Sequence, residues 1–410
     1  MNKCDTTALL AYDDALTQLT SAIEPLGKII ELPLRETLGR VLARTIDAEI
    51  DVPGCAMSAM DGYAINTADL AASGPTRLPL TQRIAAGRAA QALVTGSAAR
   101  IFTGAPIPAG ADAVIMQEQV DVDDAGISFT LRPASGSNIR PTGNDIRRGA
   151  TILNQGCRLR AQDIGLAASV GLQTLPVFTE VKVGMFFTGD ELVEPGEALA
   201  VGKIYDSNRY TLHGLLESMG CEIIDLGLVG DTLAVTKEAM LRASSQADLV
   251  VTSGGVSVGE EDHVRIAMEQ LGELRLWRLG IKPGKPLAFA QINDTAFLGL
   301  PGNPVSVFAT FCLFVCQVIQ IMQGRGWRKP IALPVTADFD WPKPDSRREF
   351  LRARLATDTD NQTLVQIYPN QDSGVLTSTV WADGFVEIAE NQTVRAGEMV
   401  NYLPFVQFFN

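Results

Sequence analysis

The chain has 410 residues, 46% of them apolar and 20% charged, with 34 Lys plus Arg against 47 Asp plus Glu and a formal net charge of −13. That length exceeds one ordinary core and implies two to four domains, in a composition typical of a globular chain. So acidic a surface repels phosphate backbones, which argues against nucleic acid, and an anionic small substrate would need a metal or a local basic cluster.

The six cysteines, Cys4, Cys55, Cys157, Cys221, Cys312 and Cys316, form no Cys-x-x-Cys pair. Cys312 and Cys316 have the spacing of half a metal site, but the two histidines, His213 and His263, lie far away in sequence. The expectation is buried free thiols in a reducing cytoplasm. Residues 1–15 lack the basic-then-apolar order of a signal peptide. Val305–Met322 is about long enough to span a bilayer, but it carries Ser306, Thr310, Gln317 and Gln320 and follows a Pro-Gly turn. A buried core helix and no membrane partner are expected.

In chain order, residues 8–24 carry apolar side chains at helical spacing and end at Pro25, and residues 31–46 read as a strand and a short helix. From 50 to 149, short alternating runs broken by Gly and Pro, with a hairpin pattern at 120–132, indicate an inserted β domain. From Val181 the pattern is strand then helix: strands at 181–187, 222–228, 247–252 and 296–300, with helices near 208–220 and 232–246. This alternation predicts a parallel sheet covered by helices, with ligands at the carboxyl ends of its strands. Beyond Trp327 the texture is β again, with a hairpin candidate at 356–368 and no strong helix.

Four polar loops follow the four strands: Thr188-Gly-Asp-Glu-Leu192, Gly230-Asp231, Thr252-Ser253-Gly254-Gly255 continuing through Ser257 to Asp262, and Leu300-Pro301-Gly302-Asn303-Pro304. The glycines admit close backbone approach, and a helix starting near Pro304 would add its positive end, so together the loops suggest a phosphate or oxyanion cradle. Lys282-Pro-Gly-Lys285 places two cations on a stiffened loop. Glu191, Asp231 and Asp262 beside the same loops suit a Mg²⁺ ion that carries substrate phosphate, with helix capping as the rival role. In the β region Asp61, Thr103 and Asp145 sit in Gly-rich loops, where the residues alone favour a turn role. Arg348, Arg352 and Arg354 would share one strand face, able to bind an oxyanion or simply to be solvated.

The blocks SAMDGYA (58–64), TGAPIP (103–108), VGMFFTGDEL (183–192), TSGGVSVGEED (252–262), IKPGKP (281–286) and LPGNPVS (300–306) resemble, in order and spacing, those of the MoeA family. The likeness extends from about residue 8 to about 405. It implies a multidomain α/β plus β fold. Residues 1–46 and 147–177 would form a split linking and dimerisation domain, and 47–146 the inserted β domain. Residues 178–327 would be a MogA-like α/β molybdopterin-binding domain with a parallel-rich sheet, and 328–410 a β-barrel-like domain. The activity implied is Mg²⁺-dependent insertion of molybdate into adenylylated molybdopterin, which yields molybdenum cofactor and AMP in a cytoplasmic homodimer. MogA-type adenylyltransferase and molybdoenzyme maturation proteins would be its partners.

By motif position, the resemblance assigns catalytic roles to Asp61, Thr103, Asp145, Glu191, Asp231 and Asp262, the last three as metal ligands. It assigns substrate binding to Ser253, Gly254, Gly255, Ser257, Lys282, Lys285, Pro301, Gly302, Pro304, Arg352 and Ser373, with molybdate against Arg352 and the lysine loop. The chain departs from the family pattern at Pro369-Asn-Gln371, where Gly-His-Gln is common, and at Cys55-Ala-Met57 and His263. Two rival readings are the adenylylation step, whose MogA-type proteins resemble only 181–327, and a gephyrin-like scaffold, which needs no Mg²⁺ carboxylates.

Overall fold

The computed structural model describes residues 9–255 and 262–409, so Ser257 lies outside the described residues. Backbone contacts divide the chain into two units. One takes the residues up to Glu31, Gly39–Ala43 and everything from Pro176 on; the other takes Leu32–Leu38 and Arg44–Leu175.

The first unit opens with helix α1 (Tyr12–Ser21), whose first turn carries Asp13 and Asp14 against the positive helix end. Its buried stripe, Tyr12, Ala15, Leu16 and Leu19, packs into the core of the α/β sheet. By packing, this helix lies with the α/β sheet. The sheet is built from β1 (Lys182–Thr188), β2 (Glu222–Val229), β3 (Leu249–Ser253), β4 (Glu273–Arg278), β6 (Pro286–Ile292) and β7 (Thr295–Leu300), with the short β5 (Ile281–Lys282) between β4 and β6 in the chain. Its order is β2-β1-β3-β7-β6-β4. The pairings among β2, β1, β3 and β7 are parallel, whereas β6 and β4 are antiparallel additions. Those two strands have no crossover helix, which is why strand–helix alternation did not reveal them.

Helices α2 (Ser207–Ser218), α3 (Leu233–Ser244) and α4 (His263–Leu271) start on caps supplied by the sequence. Asp206, Thr232 and Asp262 each accept a hydrogen bond from the backbone N–H three residues on. Helix α5 (Pro304–Met322) begins with proline at its first position and has a π turn over Phe311–Val315. It is the one described helix long and apolar enough to cross a membrane, and the fold buries it, as expected from its polar interruptions. Cys312 and Cys316 on it are free and buried, and burial pushes both thiols far above the usual range. They are apolar filling and not half a metal site. Cys55, by contrast, is exposed, because it sits in a surface loop.

From Leu333 the chain forms a closed five-stranded barrel of β8 (Leu333–Ala337), β9 (Arg348–Thr357), β10 (Thr363–Ile367), β11 (Gly384–Ile388) and β12 (Met399–Pro404). Closure depends on the length of β9, which pairs along 349–353 with β11 and along 353–357 with β10. Its inward side chains, Leu351 and Ala353, join Val365, Val386 and Tyr402 in the barrel core, while Phe350 faces out and joins α1 and α5. Where β10 stops, β5 continues along the same strand, which sets Lys282 opposite Glu349. A one-turn helix, α6 (Thr377–Trp381), interrupts the β texture.

The second unit is β-rich, as the texture of 50–149 implied. A four-stranded sheet runs Leu80–Ile84, Ala98–Ile101, Gly62–Ile65, Ala113–Met116, and the expected hairpin pairs Asp121–Asp123 with Gly126–Phe129. Gly62 has no room for a side chain, since a Cβ would run into the carbonyl oxygen of Ile115 on the neighbouring strand. Gly62→Ala should therefore force the backbone apart and destabilise this unit by ~2–4 kcal/mol. Thermal melting checks this, and a wild-type melting temperature would contradict the close approach.

Candidate active site

The site is organised by aligned strand ends. Thr188 pairs with Val229, Phe187 with Ser253, and Ser253 with Leu300, so the four loops leave one edge of the sheet side by side. Asn208, in the first turn of α2, donates through Nδ2 to Ser253 Oγ (3.0 Å) and to the Gly302 carbonyl (2.7 Å), and Ser253 Oγ donates to the Pro301 carbonyl (2.9 Å). The Ser253 hydroxyl is thus a buried clamp between loops, already in use, and not a free substrate contact. Gly255 adopts φ +64°, and a Cβ there would come within 2.7 Å of Val264, so glycine is required at this bend.

In front of these loops lies a cleft of about 580 Å³. Glu191, Gly254, Gly255, Pro301, Gly302 and Ser306 line one wall, Lys282 to Pro286 another, and Arg347 with Gln371 to Ser373 a third. Of the residues expected at the anion cradle, Glu191, Gly254, Gly255, Lys282, Lys285, Pro301, Gly302 and Ser373 line it. Pro304 starts α5 behind Asn303, and the helix end is partly occupied: the Val305 N–H donates to the Ser373 carbonyl (3.0 Å) and Asn303 Nδ2 to Ser373 Oγ (2.9 Å). Ser373 is therefore a capping residue of α5 as well as a cleft residue.

Lys282 is not free. Its amine lies 2.8 Å from Glu349, which is 1% exposed, and 3.4 Å from Asp345. Glu349 also accepts from the Trp341 indole (2.7 Å), and Asp345 is gripped by both ends of the Arg347 guanidinium, whose hydrogen bonds hold that carboxyl well below the usual range. Lys285 is exposed and has no carboxylate partner among the described residues, so it carries the uncompensated charge of this wall.

Arg352 is where the structure corrects the sequence reading. It is 0% exposed, donates to Ser378 Oγ (3.0 Å) and to the Asp372 carbonyl (3.2 Å), and burial lowers its pKa to about 10. Arg348, on the same strand face, is bound by Asp13, Glu387 and Glu390, and Arg354 stacks on Trp381. The three arginines do not converge on an anion. Arg347, of opposite strand parity, reaches the cleft instead, and Arg352 holds the Gln371–Ser373 segment from behind. Arg352→Ala should remove one hydrogen bond each from Ser378 Oγ and the Asp372 carbonyl, leave a cavity at a fully buried position and cost ~2–4 kcal/mol of stability. Melting measured beside a molybdate titration checks this; unchanged melting with selectively weakened molybdate use would contradict it.

The proposed metal carboxylates separate as well. Among the described residues no three His, Cys, Asp or Glu side chains are gathered to hold an ion. Glu191 faces the cleft, whereas Asp231 accepts from the Thr188 hydroxyl (2.9 Å) and Asp262 caps α4. Asp231 is not the cap of α3, since Thr232 takes that role. Asp262 is 3% exposed, one of its oxygens has no partner among the described residues, and its pKa rises to about 6, chiefly by burial, with the Asp231 charge adding to the shift. A carboxyl whose folded pKa is raised stabilises the fold at low pH, and that contribution disappears as pH rises through about 6. Asp262→Asn should therefore melt above wild type at pH 7.5, by up to ~3 kcal/mol, and match it near pH 4. A constant difference across that range would contradict the shift.

In the second unit, Thr103 donates to the same Asp61 oxygen through its backbone N–H (2.7 Å) and its hydroxyl (2.8 Å), which lowers the pKa of this exposed carboxyl. The fold brings these two side chains together. Asp145 lies in an exposed loop whose backbone N–H donates to the Val52 carbonyl (2.9 Å). Sequence reasoning missed Asn208, Asp345, Arg347, Glu349 and Gln371 as parts of the site. Asp206-Ser-Asn208 ahead of a helix was a readable capping signal, but nothing local marks Glu349 as the partner of Lys282.

A parallel-rich α/β domain with an anion cleft, a closed barrel and a β-rich unit define a multidomain α/β protein with a small-molecule site at its strand ends. The regions described as MoeA N-terminal (domains I and II), probable molybdopterin binding domain and MoeA C-terminal (domain IV) match residues 10–171, 184–320 and 334–405. Molybdopterin molybdenumtransferase of Haemophilus influenzae is 40% identical over 97% of this chain and 99% of its own length; that of Bacillus subtilis is 33% identical over 88% and 86%. The crystal structure of the molybdopterin biosynthesis MoeA protein from Pyrococcus horikoshii superposes with a TM-score of 0.84 at 32% identity, covering 97% of this chain and 100% of that one. The chain belongs to the MoeA family of molybdopterin molybdenumtransferases.

Proposed function

We propose that this chain inserts molybdate into adenylylated molybdopterin in a Mg²⁺-dependent reaction that releases AMP and forms molybdenum cofactor. The observation that carries the reading is the cleft, where glycine-rich strand-end loops face an uncompensated Lys285 in a protein of net charge −13. The backbone of Gly254 and Gly255 and the Lys285 amine would bind the pyrophosphate, while Lys282, fixed by Glu349, and Arg347, fixed by Asp345, would present donors to the molybdate dianion. The third wall, Gln371 to Ser373, would orient the substrates and limit water.

A hard divalent cation would be held by Asp231 and Asp262, whose charges act on each other and of which Asp262 has a buried oxygen without a partner among the described residues. Mg²⁺ held there with substrate oxygens and waters would neutralise the phosphates and stabilise the charge of departing AMP. Asp61, latched by Thr103, stays ionised and serves as an acceptor and not as a proton donor. The enzyme is inferred to work as a cytoplasmic homodimer, which sedimentation at twice the chain mass would support.

The test is AMP release from purified protein, adenylylated molybdopterin, molybdate and Mg²⁺. Exhaustive chelation should stop it, and full release without the ion would overturn the Mg²⁺ assignment. Lys285→Ala should lose one charge-assisted contact, about 1.5–3 kcal/mol, or roughly ten- to a hundredfold in kcat/KM. Unchanged kcat/KM in that variant would remove the cleft from the reaction.

A further inference from the structure

The four-stranded sheet of the second unit carries an arrangement that the reaction described above does not use. Arg83 and Arg100 stand directly opposite each other on adjacent parallel strands, and Tyr63 is opposite Arg100 on the other side. Like charges in direct cross-strand register repel each other. Neither arginine has a carboxylate ion-pair partner among the described residues, in a chain where acids outnumber bases. What holds them is aromatic. The Arg83 guanidinium lies 4.5 Å from the centre of the Phe102 ring, and that of Arg100 lies 4.8 Å from Phe102 and 5.0 Å from Tyr63. Arg100 is further anchored by donating to the Gly62 carbonyl (3.3 Å) and to Gln117 Oε1. Arg83 is exposed, and its fork engages no hydrogen-bond acceptor among the described residues.

We propose that Arg83 and Arg100 form a phosphate-binding site on this sheet, taking a phosphate or pyrophosphate dianion through the free donors of Arg83 and the charge of Arg100. The ring of Phe102 fixes both guanidinium groups and leaves the N–H edges of Arg83 available, while Arg100, its own donors engaged, adds its charge. The dianion relieves the repulsion between the two arginines, so the site is strained when empty and relaxed when filled. It shares no residue with the cleft and does not depend on the transferase reading.

The experiment is side-chain NMR of the full chain labelled with ¹⁵N-arginine, titrated with sodium pyrophosphate, with Arg83→Gln and Arg100→Gln used to assign the two Nε–H signals. Both signals should move and saturate, and in Arg83→Gln the Arg100 signal should need roughly ten- to a hundredfold more pyrophosphate. Without pyrophosphate, Arg83→Gln should melt at or above wild type, because a like-charge contact is gone. Stationary Arg83 and Arg100 signals at saturating pyrophosphate would overturn the proposal. So would an Arg83→Gln variant that melts below wild type and leaves the Arg100 titration unchanged, since the stack would then be structural only.

Discussion

Burial of helix α5 is the constraint on which the rest of the first unit depends. An apolar helix of this length must be covered on every side, and no single layer can do that. The six-stranded α/β sheet, helix α1 and the outward face of β9 and β11 each contribute, so Leu298, Tyr12, Phe350 and Phe385 belong to one hydrophobic cluster with Phe314. At the N-terminal end of the same helix are Pro304 and Ser306, which places the cleft where sheet, lysine loop and barrel loop come together. The site is a consequence of that coverage: each wall comes from an element required to bury α5.

The electrostatics follow a single pattern. Cations at the cleft are held by carboxylates that are themselves held: Lys282 by Glu349, Glu349 by Trp341, and Arg347 by Asp345. Such chains fix donor positions but spend most of the positive charge internally, which leaves Lys285 as the group that attracts. Asp262 shows the reverse arrangement, with a carboxyl kept where burial disfavours its charge and with no partner for its second oxygen among the described residues.

Much of this was legible in the sequence, for identifiable reasons. Parallel strands buried on both faces read as apolar runs, as at Val183–Phe187, and each ends in a Gly-rich loop, so sheet, site edge and glycines could all be placed. Asp61 and Thr103 could be named by motif, and the structure joins them. What stayed hidden is tertiary. Strands β4 and β6 lack the crossover that announces parallel pairing. The parity of β9 grouped Arg352 with Arg348 and Arg354, but parity does not reveal that α6 seals Arg352 in, nor that Arg347 on the opposite side reaches the cleft. The Lys282–Glu349 pair depends on β5 joining a barrel formed much later in the chain.

That late pairing bears on how the enzyme comes into being. The strand-end loops can form once β7 is made, but the partner of Lys282 and the third wall at Gln371–Ser373 require the barrel, whose ring closes only when β12 is in place. Contacts of such long sequence separation are the slow ones in folding. A nascent or truncated chain would thus carry the glycine loops without a fixed Lys282 and without a closing wall. Such a chain would bind anions loosely, and a complete cleft would be acquired only when the barrel closes.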